Sequence, residues 1–336
     1  MAKIRELALT DIFKINKLMS YMDVQIKSFF DEIILPCPFN ALYSSLPLRI
    51  KYLPESYVLM DKKNIKAYIS AKRTSGNYKK WKISKLYMGD NSYEAGLLLL
   101  QYLITKFGAK GANTFVASIE ETQNELIQLF VDGAGFRQCS RQQIWKCKNL
   151  QNEKYYMNGL FLRPFKNSDA KAVAQLYNEN LLIPFKPSLS KNKMEYEESY
   201  FAGLYNASCF KYVLEDRQSK QIISYFSLKT TDNKNYLLDV LISKSYETLF
   251  EKIIWCAYNK ALKRTKNATL FVINKHYLQT ANSFEDLLKE KDFEQSNSSV
   301  LLVKDLFKTI TAENELHHAL FYREMNSTPA FKSQLL

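Results

Sequence analysis

Three carboxylates interrupt or directly follow apolar stretches that have the pattern of buried strands. Asp239 interrupts the apolar run 237–241, which has the pattern of a largely buried strand. A lone carboxylate there needs a partner or a raised pKa. Glu120 and Glu121 directly follow the apolar stretch 114–119, and either could act as a general base if it faced a cleft. The structural alternatives are a buried hydrogen bond for Asp239 and plain solvation for the two glutamates.

The histidines and cysteines offer one further acid–base pair and no metal site. His276 and Tyr277 follow the apolar stretch 269–273 and could supply a base and an acid, although a turn explains them equally well. His317 and His318 have no cysteine or carboxylate at metal-ligand spacing, so we predict no metal. The five cysteines form no C-x-x-C pair, which favours reduced thiols over a zinc site or a disulfide framework.

The elements that must position these side chains occur twice along the chain. Four landmarks recur in the same order, roughly 155 residues apart. They are Arg5 and Asp11 with Arg163 and Asp169, Tyr57–Asp61 with Tyr212–Asp216, Ser92–Glu94 with Ser245–Glu247, and Gly135-Phe136 with Asp292-Phe293. A unit of this length is a domain with its own core, since solenoid repeats are much shorter. We predict domains at residues 1–150 and 158–306, packed side by side, and a helical tail at 307–336.

Within each unit the apolar periodicity predicts one order of elements. A short strand and a helix open the unit, and three extended stretches follow. A turn then leads into a long helix, predicted at 93–107 in the first unit and at 246–262 in the second. A buried strand, a short helix and a last strand close it. The fold class is therefore α/β (α+β), with a mixed, mainly antiparallel sheet flanked by helices in each unit.

Composition limits the classes of function. The chain has 336 residues, 46% of them hydrophobic, which is enough for two ordinary cores. The longest unbroken aliphatic run, at 97–100, is far too short to span a bilayer, and the start of the chain has no signal-type apolar segment. We therefore expect a soluble, cytoplasmic protein. P-loop, dinucleotide-binding, G-x-S-x-G and H-E-x-x-H motifs do not occur, which disfavours those enzyme classes.

The net charge of +13 permits an anionic partner without naming one. The lysines are dispersed along the chain. Short clusters such as 79–82 and 260–264 have the pattern of solvated faces and do not form a continuous binding stripe. We therefore expect no nucleic-acid partner, and the sequence does not indicate the oligomeric state.

The order of elements resembles the GNAT superfamily of acyl-CoA-dependent acyltransferases. The residues that carry the resemblance are the opening Ile4-Arg5 with Asp11, the strand–turn–helix stretch 85–107, and Leu129-Phe130 followed by Gly135-Phe136-Arg137. The resemblance covers nearly the whole chain twice, as in the tandem members of that superfamily. It implies two GNAT-like domains, acetyl-CoA as the donor substrate, and a primary amine on a small molecule or a protein as the acceptor.

The resemblance also implies roles for particular residues. Backbone amides at the turn before the long helix would bind the pyrophosphate of coenzyme A, and the pantetheine would run between the fourth and fifth strands. A carboxylate would take a proton from the amine, often through water, and a tyrosine of the last helix would return one to the thiolate. The implied general-base candidates are Glu120, Glu121 and Asp239. The implied cofactor-binding residues are Leu86, Tyr87, Met88, Ser92, Tyr93, Glu94, Ala95 and Gly96.

The sequence departs from the family pattern at both turns and at the tyrosine. The turns read 91–96 and 244–249, and the second contains no glycine, so side chains crowd the backbone that should approach phosphate. Phe130 in the first unit and Leu287-Leu288 in the second occupy the tyrosine position. The first unit, which keeps Ala95-Gly96, is the better predicted cofactor site. The alternatives are a non-catalytic scaffold, regulator or ligand sensor, and an aminoacyl transferase using charged tRNA.

Overall fold

A computed structural model describes residues 2–8, 11, 14–15, 54–62, 64–74, 77–89, 93–147, 159–197, 208–230 and 232–306. We refer to the described residues up to 147 as the first half and to those from 159 as the second half. The predicted join at 151–158, the tail at 307–336, and Ser92, His317 and His318 lie outside the described residues. The domain boundaries therefore stay a prediction.

The first half contains six strands and a long helix. The strands are β1 (Ala2–Glu6), β2 (Glu55–Asp61), β3 (Asn64–Thr74), β4 (Asn77–Met88), β5 (Thr114–Glu120) and β6 (Arg137–Lys146). The long helix α1 (Tyr93–Ala109) connects β4 to β5. A short helix α2 (Asn124–Gln128) and a wider π-type turn (Leu129–Gly133) precede β6.

The second half repeats this order. Its strands are β7 (Leu160–Pro164), β8 (Ser208–Asp216), β9 (Ile222–Thr230), β10 (Asn235–Ile242), β11 (Thr269–Lys275) and β12 (Glu294–Asp305). Helices α3 (Ala170–Asn180) and α4 (Lys186–Leu189) lie between β7 and β8, followed by a 3-10 turn (Lys193–Glu195). A 3-10 segment (Lys244–Leu249) and helix α5 (Phe250–Leu262) follow β10, and helix α6 (Ala281–Glu290) follows β11.

The duplicated Arg–Asp landmark makes the same contact in both halves. Arg5 binds Asp11 through two hydrogen bonds of 2.6 and 2.8 Å, and Arg163 binds Asp169 through two of 2.7 and 2.9 Å. In each half a backbone N–H, that of Ala8 or Lys166, also donates to the aspartate at 2.8 Å. Such bidentate pairs are strong, and in the second half the pair holds β7 to the start of α3.

The twelve strands form one continuous sheet in the order β1-β2-β3-β4-β5-β12-β6-β11-β10-β9-β8-β7. The neighbours β4/β5 and β10/β11 are parallel and the other pairs are antiparallel. This confirms the mixed, mainly antiparallel character predicted for each half. The two arrays are not separate sheets, however. The last strands are exchanged, so that β12 of the second half lies between β5 and β6 of the first.

The exchange also mixes the two hydrophobic cores. Leu302 of β12 is fully buried in the core beneath α1, among residues of the first half. Trp145 of β6 is buried in the core beneath α5, among residues of the second half. Each half therefore supplies a strand and a core side chain that the other half needs.

Helix α1 forms because its apolar residues recur at helical spacing and meet the sheet. Leu99, Leu100, Leu103 and Phe107 are fully buried, and Phe107 stacks on Trp81 of β4 with ring centroids 3.6 Å apart.

No helix in the described part of the chain is long and apolar enough to cross a membrane.

Candidate functional site

Both halves contain a pair of parallel strands that part before a helix begins. In the first half β4 and β5 pair from Lys80 and Thr114 to Ile83 and Ala117. In the second half β10 and β11 pair from Asn235 and Thr269 to Asp239 and Ile273. Beyond these points β4 continues to Met88 and β10 to Ile242. Each half thus has an opening between strand ends, with the start of a helix beside it.

In the first half, Met88 covers the start of the helix. Gly96 is buried in the first turn of α1. A Cβ atom added there would lie only 2.1 Å from Met88 Sδ and 3.1 Å from Leu129 Cδ1. The absence of a side chain at Gly96 therefore allows Met88 to pack directly against the helix backbone.

The Tyr93 side chain, at the start of α1, approaches the π-type turn. A Cβ added at Gly133 would lie 3.2 Å from the Tyr93 hydroxyl and 2.9 Å from Leu97 Cδ1, so both side chains approach this turn. Tyr93 is nonetheless 43% exposed, which leaves it room to turn outward.

The remaining predicted cofactor residues of the first half divide between core and surface. Leu86 is buried in the core, and Tyr87 stacks on Tyr68 with ring centroids 5.8 Å apart. Glu94 is exposed and Ala95 is half-buried at the start of α1. The described structure thus brings Met88, Tyr93, Glu94, Ala95 and Gly96 together at one end of the opening.

The two glutamates of the first half have different surroundings. Glu120 ends β5, and its Oε1 accepts a hydrogen bond of 2.6 Å from Asn297 Nδ2 on the exchanged strand β12. Glu121 is exposed, and its backbone N–H donates to Ser298 O at 3.0 Å. Its charge acts on His276 of the second half, so two separate predicted candidates lie near one another.

His276 belongs to a network that joins the halves. Its Nε2 lies 2.8 Å from Gln143 Oε1 and 3.5 Å from Glu285 Oε2. Burial lowers the pKa of His276 and the charge of Arg141 lowers it further, against the carboxylates of Glu285 and Glu121. A lowered pKa favours the neutral imidazole at pH 7.

Tyr277 is buried and does not face solvent. Its hydroxyl accepts a hydrogen bond of 3.0 Å from Gln142 Nε2. Burial raises the pKa of Tyr277, so the phenol keeps its proton.

The turn before α5 in the second half has an irregular backbone. Residues Lys244–Leu249 form a 3-10 segment with a kink at Tyr246, where φ is −120° and ψ is 20°. The backbone N–H of Tyr246 donates to Ser243 O at 2.8 Å. That amide is therefore used inside the turn, whereas anion binding at a helix start needs outward-facing amides.

A small cleft opens between the ends of β10 and β11, on the side of α5 and α6. It is lined by Val240, Phe250, Ile273, Asn274, Lys275, Leu278, Thr280, Ala281 and Phe284. Asn274 is buried there, and its Nδ2 donates to Ala281 O at 3.1 Å. Its Oδ1 has no hydrogen-bond partner among the described residues, so one polar atom beside this cleft is unsatisfied.

Asp239 has the partner that its position in an apolar strand requires. Lys275, at the end of β11, donates to both carboxylate oxygens at 2.5 and 2.6 Å. Burial alone would raise the pKa of Asp239, but the Lys275 ammonium outweighs it and holds that pKa below its usual range. A carboxylate stabilised in this way is a weak proton acceptor.

Lys191 and Lys80 extend this ion pair into a larger cluster. Lys191 Nζ lies over the ring of Tyr177, 4.4 Å from its centroid, and 5.2 Å from that of Tyr196. Lys80 of β4 donates to Ser190 O at 2.7 Å, across the halves. The pattern of residues 79–82 predicted a solvated face, which is wrong for Lys80, because its side chain is buried. Lys191 was not predicted to be part of a site. Lys275 follows the apolar stretch 269–273, and only the parallel pairing of β10 with β11 brings it to Asp239.

Comparison with known proteins identifies the fold. No family model and no curated protein sequence matches this chain. A tandem GNAT protein from the clavulanic acid biosynthesis pathway superposes with a TM-score of 0.61 at 11% identity, covering 91% of this chain and 98% of its own. A GCN5-related N-acetyltransferase from Sphaerobacter thermophilus gives 0.56 at 14% identity, covering 92% and 97%.

A putative acetyltransferase from Pyrococcus horikoshii gives a TM-score of 0.53 at 12% identity, covering 93% of this chain and 92% of its own. At these identities the likeness establishes the fold. The chain has the tandem GNAT fold, as its duplicated sequence predicts.

Proposed function

We propose that this chain is an acyl-CoA-dependent N-acyltransferase that moves an acetyl group to a primary amine of a small molecule or a protein. The observation that supports this best is the opening between parallel strands in each half, placed directly before a helix. Such an opening can admit a pantetheine arm, while amides at the helix start bind the pyrophosphate. The thioester would then lie at the strand ends, beside the acceptor.

The first half is the proposed donor site. Helix α1 has Ala95 and Gly96 in its first described turn, whereas the kinked 3-10 segment before α5 contains no glycine. For a pyrophosphate to bind, Met88 and Tyr93 must turn away from the helix backbone. Met88 is suited to this, because an unbranched side chain with three rotatable bonds repacks easily.

Glu120 is the proposed general base. It ends β5, at the strand end where the proposal places the thioester, and Asn297 Nδ2 orients its carboxylate. Asp239 and Glu121 are the alternatives. The ion pair with Lys275 makes Asp239 the weaker base. The proton of the amine would pass to Glu120, directly or through water, as the nitrogen attacks the thioester carbonyl. The C–S bond would then break, and coenzyme A would leave as the thiolate and take its proton from solvent.

A matched pair of charge reversals tests which half binds the donor. Calorimetric titration of the full chain with acetyl-CoA gives the affinity, and Glu94→Lys is compared with Glu247→Lys. We expect Glu94→Lys to strengthen acetyl-CoA binding by about 1 kcal/mol, roughly fivefold, because a cation replaces an anion beside the pyrophosphate. Glu247→Lys should leave the affinity unchanged. The reverse result would assign the donor to the second half.

Turnover tests the proposed base. Release of the coenzyme A thiol is followed with acetyl-CoA and a panel of primary amines. Glu120→Gln should lower kcat by about 100-fold or more, since general-base assistance contributes that much. Glu125→Gln, an exposed neutral substitution on α2, should not change it. If Glu120→Gln retains full activity, the base lies elsewhere.

A non-catalytic ligand sensor or scaffold is the second candidate. The observation that favours it is the fully apolar contact of Phe130 with Phe136, 4.9 Å between centroids, where the family resemblance expects a phenol. Thermal shift with coenzyme A separates the cases, because a ligand that binds only the folded state raises the midpoint with concentration. A shift without turnover indicates a sensor, and no shift indicates a scaffold.

A further inference from the structure

The exchanged strand β12 runs past the end of β5, where the proposed general base lies. The two strands pair from Asp305 and Thr114 to Ser299 and Glu120. Glu120 is the last residue of β5, whereas β12 already begins at Glu294. The part of β12 before Ser299 therefore extends beyond β5, and it borders the strand end where the proposal places the thioester.

A β-bulge in this part of β12 sets the direction of Asn297. The pairing of β12 with β6 shifts register between Gln295 and Asn297, so Ser296 is an extra residue. Bulges bend a strand and redirect its side chains. After the bulge the side chains alternate, which puts Asn297 on the same face as Ser299 and its opposite residue Glu120. Asn297 Nδ2 donates to Glu120 Oε1 at 2.6 Å.

This hydrogen bond determines which polar atoms of the two side chains are left over. An ionised carboxylate only accepts hydrogen bonds, so the amide nitrogen has to face it and the amide oxygen does not. Asn297 Oδ1 and Glu120 Oε2 have no hydrogen-bond partner among the residues that the structure describes. Each oxygen shares its carbon with an atom of the Nδ2–Oε1 contact. Two unused acceptors, one from each half, are therefore held close together.

The two acceptors can be reached from solvent. Glu120 and Asn297 are both half-buried. On the same face Ser118 is exposed, and its Oγ donates to Ser299 Oγ at 3.0 Å. The surroundings of the carboxylate are therefore polar on this side, and a small polar group can approach it.

A neutral primary amine carries two N–H groups, which match two neighbouring acceptors. We propose that Glu120 Oε2 and Asn297 Oδ1 bind the two N–H groups of the acceptor amine. Asn297 then determines specificity for primary over secondary amines, in addition to orienting the carboxylate. This inference rests on the proposed function. It adds a residue of the second half to the acceptor site of the first.

The two N–H groups have different fates in the reaction. As the amine nitrogen attacks the acetyl carbonyl, the proton nearest Glu120 passes to Oε2. The other N–H stays on the nitrogen, bound to Asn297 Oδ1, and becomes the N–H of the product amide. The C–S bond breaks with its electron pair on sulfur, the thiolate takes a proton from solvent, and Glu120 releases its proton to solvent. A secondary amine has one N–H and leaves one acceptor unpaired.

Two isomeric amines test the site with the full chain. Release of the coenzyme A thiol from acetyl-CoA is followed with n-butylamine and with N-methylpropylamine, which contain the same atoms but two and one N–H groups. The value of kcat/KM should be about 10-fold or more higher for n-butylamine, because an unpaired polar group costs free energy of that order.

Variants of Asn297 separate recognition of the amine from a purely structural role. Asn297→Leu keeps a similar size and removes both amide atoms, so the ratio of kcat/KM between the two amines should fall severalfold, toward one. Asn297→Ser should lower the ratio in the same way and provides a second variant if leucine impairs folding. Asn267→Leu, the same change at an exposed asparagine in the turn before β11, should keep the wild-type ratio.

The outcomes distinguish this inference from the proposed function. Thiol release with an unchanged ratio in both Asn297 variants, or a wild-type ratio near one, would overturn the role of Asn297 and leave the acyltransferase proposal standing. No thiol release from the wild type with either amine would overturn the proposed function, and this inference with it.

Discussion

At the scale of the residue, the sequence predicted that Asp239 has a partner or a raised pKa, and the structure shows that its partner is Lys275. An aspartate inside an apolar strand has to be paired, and this much followed from the residues around Asp239. The residues around Asp239 did not identify Lys275 as the partner, because Lys275 ends another strand 36 positions away along the chain. Only the parallel pairing of β10 with β11 brings the two residues together. The sequence therefore located the candidate but left its protonation behaviour open.

Breaking this ion pair should destabilise the protein in a pH-dependent way. Asp239→Asn leaves Lys275 unpaired and should cost about 1–3 kcal/mol of unfolding free energy at pH 7, less than for a fully buried pair because Asp239 is partly exposed. The folded-state pKa of Asp239 is lowered, so the stabilisation is complete above the unfolded-state pKa near 4 and is lost as pH falls through the folded value.

Urea unfolding at pH 7 and at pH 3 measures both effects. The difference between wild type and Asp239→Asn should shrink at the lower pH. The exposed Asp286→Asn serves as control and should change stability by less than about 0.5 kcal/mol. A difference that is constant with pH would show that the carboxylate charge does not stabilise the fold.

Gly96 has a packing role that its position near the proposed pyrophosphate-binding turn does not suggest. Gly96→Val would drive Cβ into Met88 Sδ, 2.1 Å away, and should cost about 1–3 kcal/mol through overpacking. The same change should weaken acetyl-CoA binding if the donor occupies this half. Adding Met88→Ala should recover part of the stability without restoring full affinity. Chemical unfolding of the two variants checks this, and an unchanged stability for Gly96→Val would contradict the observed packing.

At the scale of the element, periodicity predicted the type and order of nearly every described strand and helix. The helix predicted at 93–107 is observed at Tyr93–Ala109, and the buried strand predicted at 114–119 is observed at Thr114–Glu120. Departures occur where backbone geometry changes within a helical pattern. The helix predicted from 246 begins instead at Phe250, after the 3-10 segment Lys244–Leu249, whose backbone is non-helical at Tyr246.

Truncation of Leu302 should reveal the exchanged strand. Leu302→Ala removes a fully buried side chain of β12 and should cost about 2–5 kcal/mol. Because Leu302 packs in the core of the first half, amide hydrogen exchange should accelerate in β5 and α1, although the substitution lies in the second half. Leu270→Ala in β11, whose side chain packs in the other core, should accelerate exchange mainly in α5 and its neighbouring strands. Equal effects of the two variants on both cores would argue against separate packing of Leu302.

At the scale of the whole molecule, the duplication predicted two copies of one unit, but not the exchange between them. Strands β6 and β12 both read as the closing strand of a unit, and local pattern does not specify which sheet a closing strand joins. The choice is made by long-range contacts such as the burial of Trp145 and Leu302 in opposite cores. For the same reason local pattern assigned Lys80 to a solvated face, since its hydrogen bond to Ser190 O forms only across the halves.

The exchange predicts that neither half is stable alone. A chain of residues 1–150 would keep β6 but lose β12, leaving one long edge of β5 unpaired and the core beneath α1 without Leu302. A chain of residues 158–336 would lose β6 and Trp145 in the same way.

Expressed separately, each half should aggregate or fail to unfold cooperatively. Expressed together, with an affinity tag on one, they should purify as a complex with the far-UV spectrum of the full chain. A monomeric, cooperatively folded single half would show that the exchanged strands are dispensable, and donor binding could then be assigned on isolated halves. Until that result, binding has to be measured on the full chain.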